Sequence, residues 1–113
     1  MLKKIECIVQ PFKLEEIKEG FREIAIDGMT ITDVSGCGKQ KGYTENVESN
    51  KAIKFLPKVK IEIVTEEEKI EDIIDVIQRL AKTGQIGAGK IFVLPVEDVI
   101  RVRTKERGRS AIE

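Results

Sequence analysis

Apolar and polar positions alternate near the start of this chain. Ile5, Cys7 and Val9 interleave with Lys4, Glu6 and Ile8, and a period of two predicts a strand with one buried face. Pro11 is expected to end it. Leu14, Ile17, Phe21, Ile24 and Ala25 then recur at helical spacing. Gly28 is expected to stop that helix, and MTITDV after it is β-rich. The cycle then begins again. Val59, Ile61 and Ile63 alternate with Lys60 and Glu62. Thr65 followed by Glu68 has the form of a capping box. Ile70, Ile73, Ile74, Ile77 and Leu80 make a second helical stripe, Gly84 is expected to stop it, and IFVLPV supplies a last strand.

The two cycles match residue for residue at a fixed offset of 56. Lys4-Ile5-Glu6 recurs as Lys60-Ile61-Glu62, Leu14-Glu15-Glu16-Ile17 as Ile70-Glu71-Asp72-Ile73, Ala25 as Ala81 and Gly28 as Gly84. Two βαβ units of this size predict an α+β fold: a ferredoxin-like double βαβ sandwich, with two helices on one face of an antiparallel sheet. The other face would carry Glu6, Ile8, Lys60, Glu62 and Val64. It is partly apolar, which favours cover by a second copy of the chain.

Between the cycles, Gly36 to Phe55 forms a connection of about twenty residues. A hairpin needs roughly two to five, and connections this long usually have a function. Near the other end, Arg101 and Arg103 stand two apart. On an extended segment both guanidinium groups would face one side, an arrangement suited to phosphate oxygens. On its own it also describes two exposed arginines on an edge.

At 113 residues the chain is one domain, 1–113. Twenty Lys and Arg balance twenty Asp and Glu, which argues against a general nucleic-acid binder. No apolar run is long enough to cross a bilayer and no leader pattern opens the chain, so the expected location is the cytoplasm. Two cysteines do not make a disulfide framework. The absence of His removes the commonest general base and weighs against an enzyme.

The stretch TGQIGAGK, 83–90, has the spacing of a phosphate-cradling GxxxxGK loop. The Ser or Thr that should follow, to hold magnesium and open a helix, is replaced by Ile91 in a strand-like run. A nucleotide loop of that type is therefore excluded.

GKQKGYTE at 38–45, FLPKVKIEIV at 55–64, TGQIGAGKIFV at 83–93 and IRVRT at 100–104, with KKIECIVQPFKLEEIKE and GMTITDVSG, resemble the PII nitrogen-signalling proteins. The resemblance implies a homotrimer that binds ATP or ADP in clefts between subunits, and 2-oxoglutarate with Mg2+ beside ATP. It implies a T-loop at 38–55 that contacts targets, a B-loop at 83–90 and a C-terminal segment at 97–113. The nucleotide residues carried over by position are Ile8, Thr30, Gly36, Gly38, Lys39, Gln40, Glu62, Val64, Gly87, Ala88, Gly89, Lys90, Arg101 and Arg103. Those for 2-oxoglutarate are Gln40, Lys41, Gly42, Lys58, Ile86 and Gly87, with Gln40 as the magnesium ligand. Targets of the family type would be an ammonium channel or a nitrogen-assimilation enzyme, the former recruiting the protein peripherally to a membrane.

Three departures qualify the resemblance. Ala88 stands where members often carry Asp. The loop tip, NVESNKAIK, is one residue shorter than the common loop and lacks the modified Tyr; Tyr43 lies near the loop base. The tip Arg used to plug a channel is missing, with Val47 or Glu48 near its place and Lys51 an imperfect substitute. Ser49 is a weak candidate for phosphorylation, and an ordinary loop serine is the simpler reading. Two other functions stay open at this point: a PII-like adenylate sensor with a different effector, and a small ferredoxin-like hydrolase.

Overall fold

In a computed structural model, residues 1–26, 28–37, 55–82, 84 and 89–113 are described. Four strands, β1 (Leu2–Val9), β2 (Thr30–Gly36), β3 (Leu56–Glu66) and β4 (Gly89–Pro95), form one sheet in the order β2-β3-β1-β4. Every neighbouring pair is antiparallel. Two helices, α1 (Leu14–Glu23) and α2 (Ile70–Ala81), connect β1 to β2 and β3 to β4. A short α3 (Arg109–Ile112) follows. This is the expected ferredoxin-like arrangement.

The repeat extends to the backbone. A 3-10 turn at Pro11–Lys13 leads into α1, and one at Glu67–Lys69 leads into α2, again 56 residues apart. The residues entering the two helices, Lys13 and Lys69, have φ/ψ of −94/−7 and −94/−4. At the equivalent positions Gly20 and Val76 the two halves touch. A Cβ on Gly20 would lie 2.8 Å from Val76 Cγ1 and 2.6 Å from Leu80 Cδ1. The missing side chain on α1 is what lets α2 approach.

The core lies between the helices and one face of the sheet. Ile5, Cys7 and Val9 from β1 and Val59, Ile61 and Ile63 from β3 meet Ile17 and Phe21 of α1 and Ile70, Ile73, Val76, Ile77 and Ala81 of α2. The alternation that predicted β1 and β3 is the alternation of their burial. Cys7 is fully buried, and that burial pushes its thiol up to about 11.

The structure corrects two boundary expectations. Thr65 is no cap: it is a buried residue inside β3, and no side chain caps the turn after it. Continued pairing of β3 with β1, to Leu2↔Glu66, takes that segment into the sheet. Gly28 does not stop α1. The helix ends at Glu23, and Ala25 adopts φ 63. Ala25 N–H donates to Arg22 O and Ile26 N–H to Phe21 O, the paired bonds that close a helix through a left-handed residue. Burial of Ile26 with Phe21 holds this turn without glycine.

Candidate ligand-binding face of the sheet

Strand register fixes which side chains share the uncovered face. Thr30 pairs with Glu62, Glu62 with Glu6, and Glu6 with Phe92. The next row runs Thr32, Lys60, Ile8, Lys90, and on the other side lies Val64, Lys4, Leu94. Lys58 lies opposite Val34 in β2, on the same parity. The structure therefore brings Ile8, Thr30, Glu62, Val64, Lys58 and Lys90 onto one face. Gly36 closes β2 at that end, and an ideal Cβ there would sit 3.4 Å from Lys58 Cγ.

Lys90 is not a loop residue. The Gly-Lys of the 83–90 stretch is the start of β4, with Lys90 opposite Ile8. Gly89 has a structural reason of its own. Its φ is +143, and a Cβ would lie 2.5 Å from the Ile8 backbone oxygen.

Charge on this face is organised around Lys4. Its Nζ lies 2.7 Å from Glu62 Oε2 and 3.2 Å from Glu6 Oε2, while Lys60 Nζ lies 4.0 Å from the same Glu62 oxygen. Glu6 and Glu62 face each other directly, a repulsive pairing that Lys4 bridges. The hydrogen bond from Lys4 holds the Glu62 carboxyl below the ordinary 4.5, and the bond to Glu62, then that to Glu6, raises Lys4 above 10.5. Sequence reasoning placed Glu6 on this face but missed Lys4 and the ion network that joins it to Glu6 and Glu62. The parity of Lys4 with Glu6 along β1 was the available signal. It also missed Phe92 and Leu94, 45% and 38% exposed, which add apolar surface at the β4 edge.

The Arg101–Arg103 expectation is corrected. The segment is a turn, not extended: Lys105 N–H donates to Arg101 O at 2.8 Å, and Arg101 N–H donates to Glu106 O at 2.9 Å. Arg101 is partly buried and held by the chain's own oxygens, whereas Arg103 is exposed in the turn. Gly38, Lys39, Gln40, Lys41, Gly42, Ser49, Ile86, Gly87 and Ala88 lie outside the described residues. On the helix side, a groove of about 920 Å³ between α2 and β4 is lined by Val9, Ile77, Ala81, Ile91 and Val93.

A family model described as nitrogen regulatory protein P-II matches residues 2–106. The chain belongs to the P-II family. It is 53% identical over 112 residues to the nitrogen regulatory protein P-II of Azospirillum brasilense and 52% identical to that of Rhodospirillum rubrum. Each match covers 98% of this chain and 100% of the relative. A crystal structure of Arabidopsis thaliana PII bound to citrate superposes with a TM-score of 0.80 at 42% identity, covering 99% of this chain and 90% of that one. P-II proteins are nitrogen-regulatory signalling proteins, so the chain is a regulator and not an enzyme. Among the described residues no helix is long and apolar enough to cross a membrane.

Proposed function

We propose that this P-II protein senses adenine nucleotide and 2-oxoglutarate and passes their occupancy to target proteins through residues 38–55. The observation that carries the reading is the common placement of Ile8, Thr30, Glu62, Val64, Lys58 and Lys90 on one open sheet face. Ile8 and Val64 offer apolar contact to a base. Thr30 and Glu62 offer hydrogen bonds to sugar hydroxyls. Lys90 offers a point charge to phosphate and Lys58 one to a carboxylate. Arg101 and Arg103 would add charge from the C-terminal segment. The citrate bound by the Arabidopsis relative supports a carboxylate ligand.

Magnesium would be held by the nucleotide phosphates, 2-oxoglutarate and Gln40, a set of hard oxygen ligands. Among the described residues no group of three or more His, Cys, Asp or Glu is arranged for a metal ion. A homotrimer fits the same face, because Phe92 and Leu94 leave apolar surface on it that a closed assembly of copies would cover. The cytoplasm is the compartment this reading requires.

Calorimetry tests the reading. With ATP and magnesium present, 2-oxoglutarate is expected to bind far more tightly than with ADP or with no nucleotide. By linkage, it tightens ATP by the same factor. Lys90→Ala and Arg103→Ala are each expected to weaken ATP more than adenosine, by about 1.5–3 kcal/mol per lost charge-assisted bond. Equal losses for both ligands, or equal 2-oxoglutarate affinity in all three titrations, would overturn it.

A further inference from the structure

Arg101 is already bound, and the way it is bound has a consequence for any anion. Its Nη1 donates to Glu106 Oε1 at 2.7 Å. Its Nη2 donates to the backbone oxygens of Ser110, at 3.0 Å, and Glu113, at 2.6 Å. A guanidinium offers two forks to a phosphate or carboxylate: Nη1 with Nη2 end-on, and Nε with Nη2 side-on. Both forks need Nη2, and both of its hydrogens are committed. A bidentate anion therefore has no fork left while α3 sits in place.

The segment that supplies these oxygens is itself built into the fold. Thr104 Oγ1 donates to Glu106 Oε1 at 2.7 Å and accepts from Glu106 N–H at 3.2 Å, aiming the carboxylate at Arg101. Gly108 N–H donates to Val99 O, and Ala111 N–H to Gly108 O. Arg109 pins the segment to the sheet through Glu66 Oε2, 3.1 Å away. The ion-paired side chains on this chain of contacts, Arg101, Glu106, Arg109 and Glu66, are all partly exposed, so the hold is weak enough to exchange with a ligand.

We propose that residues 106–113 are an internal lid on Arg101, and that a phosphate-bearing ligand gains a bidentate hold there only by displacing the oxygens of Ser110 and Glu113. The Glu106 carboxylate acts as a resident competitor. The proposal rests on the reading of Arg101 as a phosphate-binding residue. It adds that nucleotide binding releases α3, so occupancy is also signalled at the C-terminal segment.

The test uses the full chain, ATP with magnesium as the probe, and three variants. Arg101→Ala examines the underlying reading and is expected to weaken ATP. Glu106→Gln removes the competing charge. Ala111→Pro deletes the N–H that closes α3 and changes no charge. Both are expected to tighten ATP about three- to tenfold, the equivalent of one net hydrogen bond. In the parent chain, ATP is expected to speed hydrogen exchange at the Ala111 amide. If Arg101→Ala weakens ATP but neither other variant tightens it, or the Ala111 amide slows on binding, the lid is overturned and the nucleotide reading stands. If Arg101→Ala leaves ATP affinity unchanged, both fall.

Discussion

The two faces of this sheet are made by the same strands and have opposite characters. On the helix face Ile5, Cys7, Val9, Ile61 and Ile63 are buried to within a few per cent, and their roles end with packing. One residue away along each strand, Lys4, Glu6, Ile8, Lys60, Glu62 and Val64 are partly exposed, and the four charged ones form a connected network. A ferredoxin-like sheet with helices on one side only must solve two problems at once. The covered face supplies the stability. The uncovered face carries the ligand and partner roles proposed above, and its polarity is chemistry that a core could not tolerate.

Phenylalanines on the two sides offer the sharpest way to break this contrast. Phe21 of α1 is fully buried, whereas Phe92 of β4 is 45% exposed on the open face. Phe21→Ala is expected to cost about 3–5 kcal/mol in urea unfolding, at any protein concentration. The cost of Phe92→Ala is expected to depend on protein concentration if the proposed homotrimer covers it. Equal, concentration-independent losses would erase the distinction between the faces.

Two glycines of the candidate site sharpen the contrast further. Gly89 is locked by a positive φ and by the Ile8 carbonyl 2.5 Å from where a Cβ would be; at Gly36 the nearest atom would be the flexible Lys58 stem at 3.4 Å. Gly89→Ala is expected to cost about 1–3 kcal/mol of stability through backbone strain, and Gly36→Ala much less. A Gly89→Ala protein that unfolds like the parent would mean that β4 need not approach β1 so closely.

The covered face was legible in sequence because burial writes a period. Ile5-Cys7-Val9 and the α2 stripe could hardly be read another way, and the offset of 56 carried the topology. Element ends were less legible. Thr65-x-x-Glu68 has the local form of a cap, but pairing with β1 outcompetes it. Ala25 closes α1 in a conformation usually left to glycine, because burying Ile26 outweighs its backbone cost. The membership of the open face was legible from the same alternation, but the ligand roles of its residues came only through the family resemblance. Lys58 or Glu62 alone looks like any solvated charge, and the ion network exists only once β1 and β3 are in register. The Arg101 turn was illegible for a similar reason: its partners Glu106, Ser110 and Glu113 lie five to twelve residues away, at no helical or strand period.

The smallest expected effect isolates the network that separates the faces. Lys4 and Glu62 shift in opposite directions, so each contributes to stability in its own pH range. Glu62, held below its ordinary 4.5 first by the hydrogen bond from Lys4, stabilises the fold fully above that value. The contribution is lost as pH falls through its depressed folded pKa. Lys4, raised above 10.5 by Glu62 and Glu6, stabilises fully below that value and loses its contribution as pH rises through the raised one. Lys4→Met keeps the apolar stem and removes the charge. Glu62 then loses its main hydrogen-bond donor and faces Glu6 without a bridging cation, which favours its protonated form. The parent's urea midpoint should therefore fall more steeply than the variant's between neutral pH and acid, and the two curves should converge at the acid end. The variant's Glu62 carboxyl, followed by NMR, should titrate at higher pH than the parent's. Because all these side chains are partly exposed, raised salt should shrink the difference. Parallel curves and an unmoved Glu62 titration would mean that the network is incidental to the face it lies on.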